Sequence, residues 1–361
     1  MANDNKITKL AIVGAGWRAE FILGVAMALP ERFEVAGIVV RKSVVAARMS
    51  EKWKVPAFST VEELVADRRP DFIVLSVPRE AAPELIQKAI GMDIPVLSET
   101  PPAGTESELN ALYRLAGKDA PIQVAEQYHL QPFIASQISI GRSGIIGDVS
   151  ECRASISHGY HGVSIMRRML GVGFDDAKIS ALQFSTPIVG GPGREGDPKQ
   201  EETLISELTI AHLDFGDRHG IYDWAPAQNR SWIRKPRLLA RGDRGEIDGN
   251  IVRYLADFAT PNEIEIRRVD TGHYTNLEGY FLKGFTLGDQ WIYRNRFAPA
   301  RLMDDEIAVA DCLDKMAEYV AGGPSFYGLA EASQDHYLAL LIDEATQTGK
   351  TVHSKPQSWV L

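Results

Sequence analysis

The chain has 361 residues, of which 45% are hydrophobic and 24% charged, a length and composition that suit two globular domains. Its formal net charge of −9 disfavours nucleic acid and anionic membranes as partners, and no apolar run approaches the about 20 residues of a membrane span. The two cysteines, Cys152 and Cys312, fit no metal or redox motif and suit a reducing compartment, so we expect a cytoplasmic protein with a small-molecule or protein partner.

The first third of the sequence alternates apolar strands with helical segments. Short runs rich in Val and Ile predict buried strands at residues 10–13, 33–40, 72–77, 96–98 and 122–125. Helical patterns lie between them at residues 20–29, 44–53, 83–90 and 106–116. Thr105 and Glu108 form a capping-box signal for the last of these helices. Strict alternation predicts a parallel, doubly wound sheet, which we assign to a first domain over residues 1–127.

After about residue 130 the pattern changes. Helical patterns at residues 132–142 and 162–170 flank a predicted strand at 148–157, and strand signals dominate residues 178–268. A segment rich in Gly and Pro, residues 187–198, is predicted to be a loop. Two amphipathic helices close the chain at residues 304–321 and 330–348. We therefore predict a second α/β domain over residues 128–361, with a large, mostly antiparallel open sheet.

A glycine-rich turn follows the first predicted strand and opens the first helix. It reads Gly14-Ala15-Gly16-Trp17-Arg18-Ala19, a G-x-G-x-x-A pattern. The first glycine permits the tight turn, the second lets the backbone approach a pyrophosphate, and the helix N-terminus supplies N–H donors. A plain strand-to-helix turn is the alternative, but the βαβ context favours a Rossmann dinucleotide site.

The end of the second predicted strand bears on the choice of dinucleotide. An acidic residue is expected there if the ligand is NAD, because it binds the ribose hydroxyls. The sequence instead has Arg41, Lys42 and Ser43, two cations and a hydroxyl that suit a 2′-phosphate. We predict NADP in preference to NAD, with a solvated loop of incidental charge as the alternative.

Further segments follow the later strands of the first domain. Ser76-Val77-Pro78 ends the third strand, Ser98 to Pro102 follows the fourth, and Gln127 to Pro132 follows the fifth. In these segments and at His161 the sequence resembles the Gfo/Idh/MocA oxidoreductase family, which includes glucose–fructose oxidoreductase and inositol dehydrogenase. Ser76-Val77-Pro78 matches the family's strand end under the nicotinamide, and Ser98 to Pro102 matches its E-K-P signature. Gln127 to Pro132 matches its N-x-R-x-x-P segment, and His161 matches the histidine of its D-x-x-x-H motif. The resemblance extends over nearly the whole chain.

The resemblance implies a Rossmann domain followed by an α/β domain whose open sheet often forms dimers. It also implies hydride transfer between NAD(P) and a ring carbon of a sugar or related polyol. In the family, the E-K-P lysine contacts substrate and cofactor ribose, and the histidine exchanges a proton. Here Thr100 replaces that lysine, and Ser157 replaces the aspartate four residues before His161. Threonine carries no charge that could lower the pKa of a substrate hydroxyl, so another group must help or the chemistry differs.

The densest polar cluster of the chain is Ser157-His158-Gly159-Tyr160-His161, at a predicted strand-to-helix junction. Imidazole titrates near neutral pH and can accept a hydroxyl proton while a hydride leaves the same carbon. Through the family match we assign His161 as the catalytic residue, assisted by Tyr160 or His158, for which capping or packing is the alternative. No Cys, Asp or Glu stands at ligand spacing, so we predict no metal site.

The remaining candidates follow strand ends, where ligands of parallel sheets bind. The predicted cofactor site comprises Gly14, Ala15, Gly16, Trp17, Arg18, Arg41, Lys42, Ser43, Ser76, Val77, Pro78, Glu99, Thr100 and Gln127. The predicted substrate side comprises Tyr128, His129, Arg168 and Trp224. Arg168 returns to nearly the helical face of His161, although a solvated pair with Arg167 or an interface contact is equally open. Plain packing is the alternative for the other three.

Together these features predict an NAD(P)-dependent oxidoreductase acting on a secondary alcohol or ketone carbon of a sugar-like substrate. One alternative is an enzyme that keeps its cofactor bound and uses transient oxidation for elimination or glycoside cleavage. Another is a dinucleotide-binding sensor without catalysis. We also expect a homodimer or homotetramer of twofold symmetry, because few helices are available to cover the sheet of the second domain.

Overall fold

The computed structural model describes residues 7–360, and its N-terminal part contains a parallel sheet. The strands of this sheet are β1 Thr8–Val13, β2 Phe33–Val39, β3 Ala57–Phe58, β4 Phe72–Leu75, β5 Val96–Ser98 and β6 Ile122–Val124. They lie in the order β3-β2-β1-β4-β5-β6. Every residue of β4, β5 and β6 is buried, because helices cover both faces of such a sheet. The predicted doubly wound Rossmann sheet is confirmed.

The helices that alternate with these strands are α1 Trp17–Met27, α2 Ser43–Trp53, α3 Val61–Arg68, α4 Ala82–Ile90 and α5 Glu106–Ala116. Helix α5 begins with the predicted capping box: Thr105 N–H donates to the Glu108 carboxylate at 3.0 Å, and Glu108 N–H donates to the Thr105 hydroxyl at 3.3 Å. Strand β3 and helix α3 were not predicted from the sequence. The hydroxyl of Thr60 caps α3 by accepting from the backbone N–H of Glu63.

The second sheet is long and mostly antiparallel, as predicted. Its strands are β7 Val149–Ser155, β8 Lys178–Val189, β9 Thr203–Asp214, β10 His219–Trp224, β11 Arg237–Gly242, β12 Gly245–Asp248, β13 Ile251–Leu255, β14 Pro261–Asp270, β15 Leu282–Leu287, β16 Gln290–Arg294 and β17 Val352–His353. Their order is β16-β15-β14-β13-β12-β11-β7-β10-β9-β8-β17. Strands β7 and β10 pair in parallel, whereas β8, β9 and β10 form an antiparallel ribbon.

Several predicted boundaries differ from the structure, and two of these differences lie in the second unit. The predicted loop at residues 187–198 begins later, because β8 continues to Val189 and pairs with β9 along its whole length. Pro187 is compatible with this strand because β17 covers only the other end of β8, so no neighbour needs an N–H from the proline. The helix predicted from residue 162 begins at Gly159, which places His161 in its first turn.

The two faces of the second sheet differ. The remaining helices are α6 Pro132–Arg142, α7 Gly159–Leu170, α8 Asp304–Val320 and α9 Leu329–Thr348. Helix α7 packs on β7 and β10, where Tyr222 points to the helix side and is buried. On the other face, the guanidinium of Arg241 forms ion pairs with Glu151 at 3.3 Å and Glu246 at 3.2 Å. Arg253 forms a further ion pair with Glu246 at 3.2 Å. This open face therefore carries a ladder of alternating charges.

The chain forms two compact units. The first unit contains residues 7–132, Asp270–Lys283 and Asn295–Ser333, and the second contains Phe133–Val269, Gly284–Arg294 and residues 334–360. Helix α8 joins the first unit by packing on α1. Arg32 pairs with Asp314 of α8 at 2.9 Å, and Arg296 pairs with Asp311 at 2.6 Å. The functional boundary between residues 127 and 128 stays a prediction.

Candidate functional site

The glycine turn of the first unit has the geometry that the fingerprint requires. Gly14 has φ +133°, a region that favours glycine, and its N–H donates to the Val39 carbonyl at 3.1 Å. A Cβ atom on Gly14 would lie 2.0 Å from the carbonyl oxygen of Ser76. Gly16 caps α1, and a Cβ atom there would meet nothing within 4 Å. The turn is therefore closed on the protein side at Gly14 and open at Gly16.

Arg18 forms an ion pair at the start of α1. Its Nε donates to Oε1 of Glu99 at 2.8 Å, and Glu99 directly follows β5. Burial acts against the charge of Arg18, but the Glu99 carboxylate outweighs it, so the pKa of Arg18 is raised. Trp17 is exposed and stacks on Phe21 with ring centroids 5.3 Å apart. Two of the predicted cofactor residues, Arg18 and Glu99, are thus in direct contact.

Cationic side chains stand at the end of β2. Arg41, Lys42 and Ser43 are all exposed, with Lys42 at the N-cap of α2 and Ser43 its first residue. The strand itself ends in Val39 and Val40, both buried. Among the described residues, the three that follow β2 after Val40 therefore offer two cations and a hydroxyl to a ligand, and no carboxylate.

The ends of β4 and β5 complete the crevice of the first unit. Ser76 N–H donates to the Val13 carbonyl at 2.9 Å, and Val77 and Pro78 follow it without regular structure. Thr100 is half-buried beside Glu99. Together with Ala15 of the glycine turn, these positions lie at the carboxyl ends of the strands, where Rossmann folds bind their ligands.

Buried polar residues follow β6. The side-chain oxygen of Gln127 is buried and has no hydrogen-bond partner among the described residues. Tyr128 N–H donates to the carboxylate of the fully buried Glu126 at 3.0 Å. His129 is buried with its ring 5.6 Å from that of Tyr327. The orphaned Gln127 oxygen and the open approach at Gly16 fit a dinucleotide with its amide end on the β6 side.

The second unit carries a cluster of aromatic rings at the start of α7, which we name the ring cluster and define as His158, Tyr160, His161 and His336. The His161 ring lies 4.3 Å from that of Tyr160 and 4.8 Å from that of His158. His336, on α9, packs edge-on against Tyr160 at 5.4 Å. His161 and His336 are buried, Tyr160 is half-buried and His158 is exposed.

His336 was not predicted from the sequence. It belongs to a buried polar run on α9, which begins with Ser333 and Gln334 and continues through Asp335. A run of polar residues between apolar ones in a helix is a signal for an internal polar site, but it does not say which other element the run faces. His336 is far from His161 in the sequence, so only the fold brings the two histidines into one cluster.

Buried polar atoms without protein partners lie around the start of α7. The Ser157 hydroxyl is buried and unpartnered among the described residues, and so is the indole N–H of Trp224. The hydroxyl of Tyr222, two residues before Trp224, supports the start of α7 by accepting a hydrogen bond from Gly159 N–H at 2.8 Å. Since Gly220 faces Met166 farther along α7, β10 runs antiparallel to the helix and Trp224 lies towards its N-terminal end. Such atoms require a ligand or water.

The two adjacent arginines of α7 have different surroundings. Arg167 is buried and pairs with Asp335 at 2.5 Å, with both side chains almost fully buried. Arg168 is half-buried, and its carbonyl oxygen accepts from the guanidinium of Arg142 at 2.9 Å. Arg168 lies two helical turns, about 10 Å, from His161 along the axis. The structure thus leaves Arg168 apart from the ring cluster.

Neither a metal-binding cluster nor a membrane-spanning helix was found within residues 7–360. No group of three or more potential metal-binding side chains occurs there. None of the helices described there is long and apolar enough to cross a membrane.

The glycine turn, the strand order and the residues at the strand ends define a dinucleotide-binding Rossmann protein with a second α/β unit. Residues 8–126 match the GFO_IDH_MocA family, described as an oxidoreductase family with an NAD-binding Rossmann fold. The match covers the Rossmann part of the chain, and it supports the predicted resemblance to the Gfo/Idh/MocA oxidoreductases and the predicted class of enzyme.

Individual relatives are distant. An uncharacterized oxidoreductase of Schizosaccharomyces pombe is 26% identical over 147 residues, a match that spans 40% of this chain and 40% of that protein. Levoglucosan dehydrogenase, in complex with NADH and levoglucosan, is similar with a TM-score of 0.70 at 14% identity, covering 97% of this chain and 100% of the other. A myo-inositol dehydrogenase from Corynebacterium glutamicum has a TM-score of 0.65 at 17% identity, with the same coverage. At these identities the solved structures establish the fold alone.

Proposed function

We propose that the protein transfers a hydride between NAD(P) and a secondary alcohol or ketone carbon of a sugar-like substrate. The observation that carries this proposal is the combination of acid-base groups with unpartnered buried polar atoms at the start of α7. The dinucleotide, when bound, supplies the hydride acceptor or donor. The first unit binds it through the glycine turn, and the chain's own side chains orient substrate and move the proton.

His161 takes the hydroxyl proton during oxidation and returns it during reduction. Its ring contacts Tyr160 and His158, which assist by holding the imidazole and by relaying the proton towards solvent at the exposed His158. The Ser157 hydroxyl and the Trp224 N–H are free to bind substrate oxygens. Tyr128, His129 and Arg168 remain candidates for substrate binding.

The substrate class rests on the family resemblance and on two structural neighbours. Levoglucosan and myo-inositol dehydrogenases act, by their names, on a sugar derivative and a polyol. We therefore propose a ring-shaped polyol or sugar as substrate. A panel of sugars, sugar acids and inositols, followed at the absorbance of reduced nicotinamide, tests the proposal directly.

The decisive variant is His161→Ala. A positioned acid-base group contributes about 10²–10⁴-fold to turnover, so the loss should be of that size while dinucleotide affinity stays nearly intact. His273→Ala, which changes an exposed histidine between β14 and β15, is the matched control and should leave turnover unchanged. Unaltered turnover and pH profile in His161→Ala would show that another group exchanges the proton. Dinucleotide binding with no turnover on any substrate would instead favour a sensor, and retained cofactor without net reduction would favour elimination or glycoside cleavage.

For the cofactor we propose NADP in preference to NAD, supported by the exposed Arg41 and Lys42 at the end of β2. A charge-assisted hydrogen bond to a phosphate is worth about 1.5–3 kcal/mol, so Arg41→Ala should lower the preference about tenfold or more. Arg48→Ala, on the exposed side of α2, should leave it unchanged. Tighter binding of NAD(H) by the intact protein would overturn this preference.

For the assembly we propose a homodimer or homotetramer through the open face of the second sheet. Exposed Leu182 and Leu204 lie on neighbouring strands of this sheet, and the Arg241 ladder crosses it. Light scattering at micromolar concentration should give a dimeric or tetrameric mass, and a monomeric mass would refute the assembly. The cytoplasmic location expected from the sequence stays a prediction.

A further inference from the structure

The Arg18–Glu99 pair lies on one particular side of the dinucleotide crevice. The strand order of the first sheet reverses between β1 and β4, and a Rossmann fold binds its ligand across this point, one nucleotide half on each side. The β2 side carries Arg41 and receives the adenosine half. The side formed by β4, β5 and β6 therefore receives the nicotinamide half, and Glu99 directly follows β5.

The pair is built into the protein and still accessible. The Arg18 and Glu99 side chains retain 21% and 17% of their exposure, and Nε of Arg18 donates to Oε1 of Glu99 at 2.8 Å. The Arg18 guanidinium also lies 5.5 Å from the centre of the Phe21 ring, which fixes its direction. Its terminal Nη groups have no hydrogen-bond partner among the described residues.

The other groups that act electrostatically on Arg18 are carboxylates or are neutral. Asp305, at the start of α8, and Glu99 both act electrostatically on Arg18, and both raise its pKa. The Cys312 thiol is fully buried, and burial raises its pKa, so it stays neutral. Thr100, next to Glu99, is uncharged. The groups that act on the Arg18 charge are therefore carboxylates, and Glu99 is the one that Arg18 contacts directly.

We propose that the Arg18–Glu99 pair sets the relative affinity of the protein for oxidised and reduced dinucleotide. The inference rests on the proposed function only in that the crevice binds a nicotinamide dinucleotide. The oxidised ring carries a positive charge and the reduced ring does not, so a nearby unbalanced charge discriminates between them. The two charges of the pair cancel each other, and the loss of either partner changes the local charge by one unit in a known direction.

The size of the shift follows from Coulomb's law. At short range and with the high effective dielectric constant of a solvent-accessible site, one unbalanced unit charge changes the affinity for a charged ring about five- to tenfold. The dissociation constants of oxidised and reduced dinucleotide are measured by calorimetric titration and by nicotinamide fluorescence, and their ratio is the readout. A general weakening of binding would cancel in this ratio.

In Arg18→Gln the unpaired Glu99 should favour the oxidised ring, lowering the ratio of oxidised to reduced dissociation constants about five- to tenfold. In Glu99→Gln the unpaired guanidinium should raise the ratio by a similar factor. Arg18→Lys keeps the charge and should keep the ratio of the intact protein. Arg48→Gln, on α2, is the matched surface control.

Opposite shifts in the two charge-removing variants would establish the inference. If the intact protein binds both forms and neither variant moves the ratio, the pair is structural and the inference is overturned, whereas the proposed function survives. If the intact protein binds neither form, the proposed function and the inference fall together. Should Arg18→Gln not fold, Glu99→Gln and Arg18→Lys still decide the matter, because one changes the balance and the other does not.

Discussion

A methyl group added to Gly14 should impair folding, whereas one added to Gly16 should impair dinucleotide binding and leave folding intact. In Gly14→Ala the new Cβ would lie 2.0 Å from the Ser76 carbonyl oxygen, so the ends of β1 and β4 would have to separate by more than an ångström. Overpacking of this kind costs about 1–3 kcal/mol, and an L residue at φ +133° adds about 1–3 kcal/mol more. The sum, about 2–6 kcal/mol, is a large part of the stability of an ordinary domain.

Gly16→Ala is the matched counterpart. Gly16 has φ −79° and ψ 173°, which alanine adopts readily, and no atom lies within 4 Å of the added Cβ. The fold should be unchanged or more stable by about 0.4–1 kcal/mol. The methyl group nevertheless occupies the space through which a pyrophosphate approaches the backbone. Loss of one charge-assisted hydrogen bond, about 1.5–3 kcal/mol, weakens dinucleotide binding about ten- to hundredfold.

Thermal unfolding by calorimetry and titration of reduced dinucleotide by fluorescence measure the two effects separately. We expect Gly14→Ala to unfold at a clearly lower temperature or to be insoluble, and Gly16→Ala to unfold like the parent but to bind poorly. An unchanged unfolding temperature in Gly14→Ala would contradict the close approach to Ser76. Unchanged affinity in Gly16→Ala would show that the dinucleotide does not pass over this turn.

The second unit offers further tests. Tyr222→Phe should lose about 1–3 kcal/mol of stability, because the buried N–H of Gly159 loses its acceptor, and urea unfolding measures the loss. Burial raises the pKa of Tyr222, so the parent should lose stability as the pH rises above about 10, the value of an unfolded tyrosine, and Tyr222→Phe should lose less over that range. Arg167→Met should cost about 3–5 kcal/mol by leaving Asp335 buried and unpaired, and adding Asp335→Leu should recover part of it. Arg168→Met should unfold nearly like the parent, because Arg168 is only half-buried. A similar loss of stability in both arginine variants would contradict the difference in burial between Arg167 and Arg168.

Local signals in the sequence were sufficient for the first sheet except its edge strand β3. Each strand is a short apolar run, each helix between strands has an amphipathic pattern or a cap, and the glycine turn stands where the first strand ends. Helix α3 was missed although Thr60 and Glu63 give it the same kind of N-terminal signal as α5, because it is short and follows a strand of two residues. Such an element depends on packing against its neighbours more than on its own pattern.

The candidate site was only partly predictable, because its contacts join distant parts of the chain. The spacing of His158, Tyr160 and His161 placed them together, but His336 joins them only through the packing of α9. Similarly, the sequence selected Arg18 and Glu99 as separate cofactor residues, and the ion pair between them emerges from the order of the strands. A periodic pattern identifies which face of a helix is buried, but it does not identify the partner.

The unpartnered groups of the second unit support the proposed sugar-like substrate over a simple alcohol. Leaving a buried polar atom without a hydrogen bond costs about 1–3 kcal/mol, and both the Ser157 hydroxyl and the Trp224 N–H are in this situation. A sugar can offer oxygens to both while a third hydroxyl reacts near His161. A simple secondary alcohol would satisfy neither, so its kcat/KM should be lower by a factor of about 30 or more. Comparable kcat/KM values for 2-propanol and a turned-over polyol would mean that these two groups bind water rather than substrate.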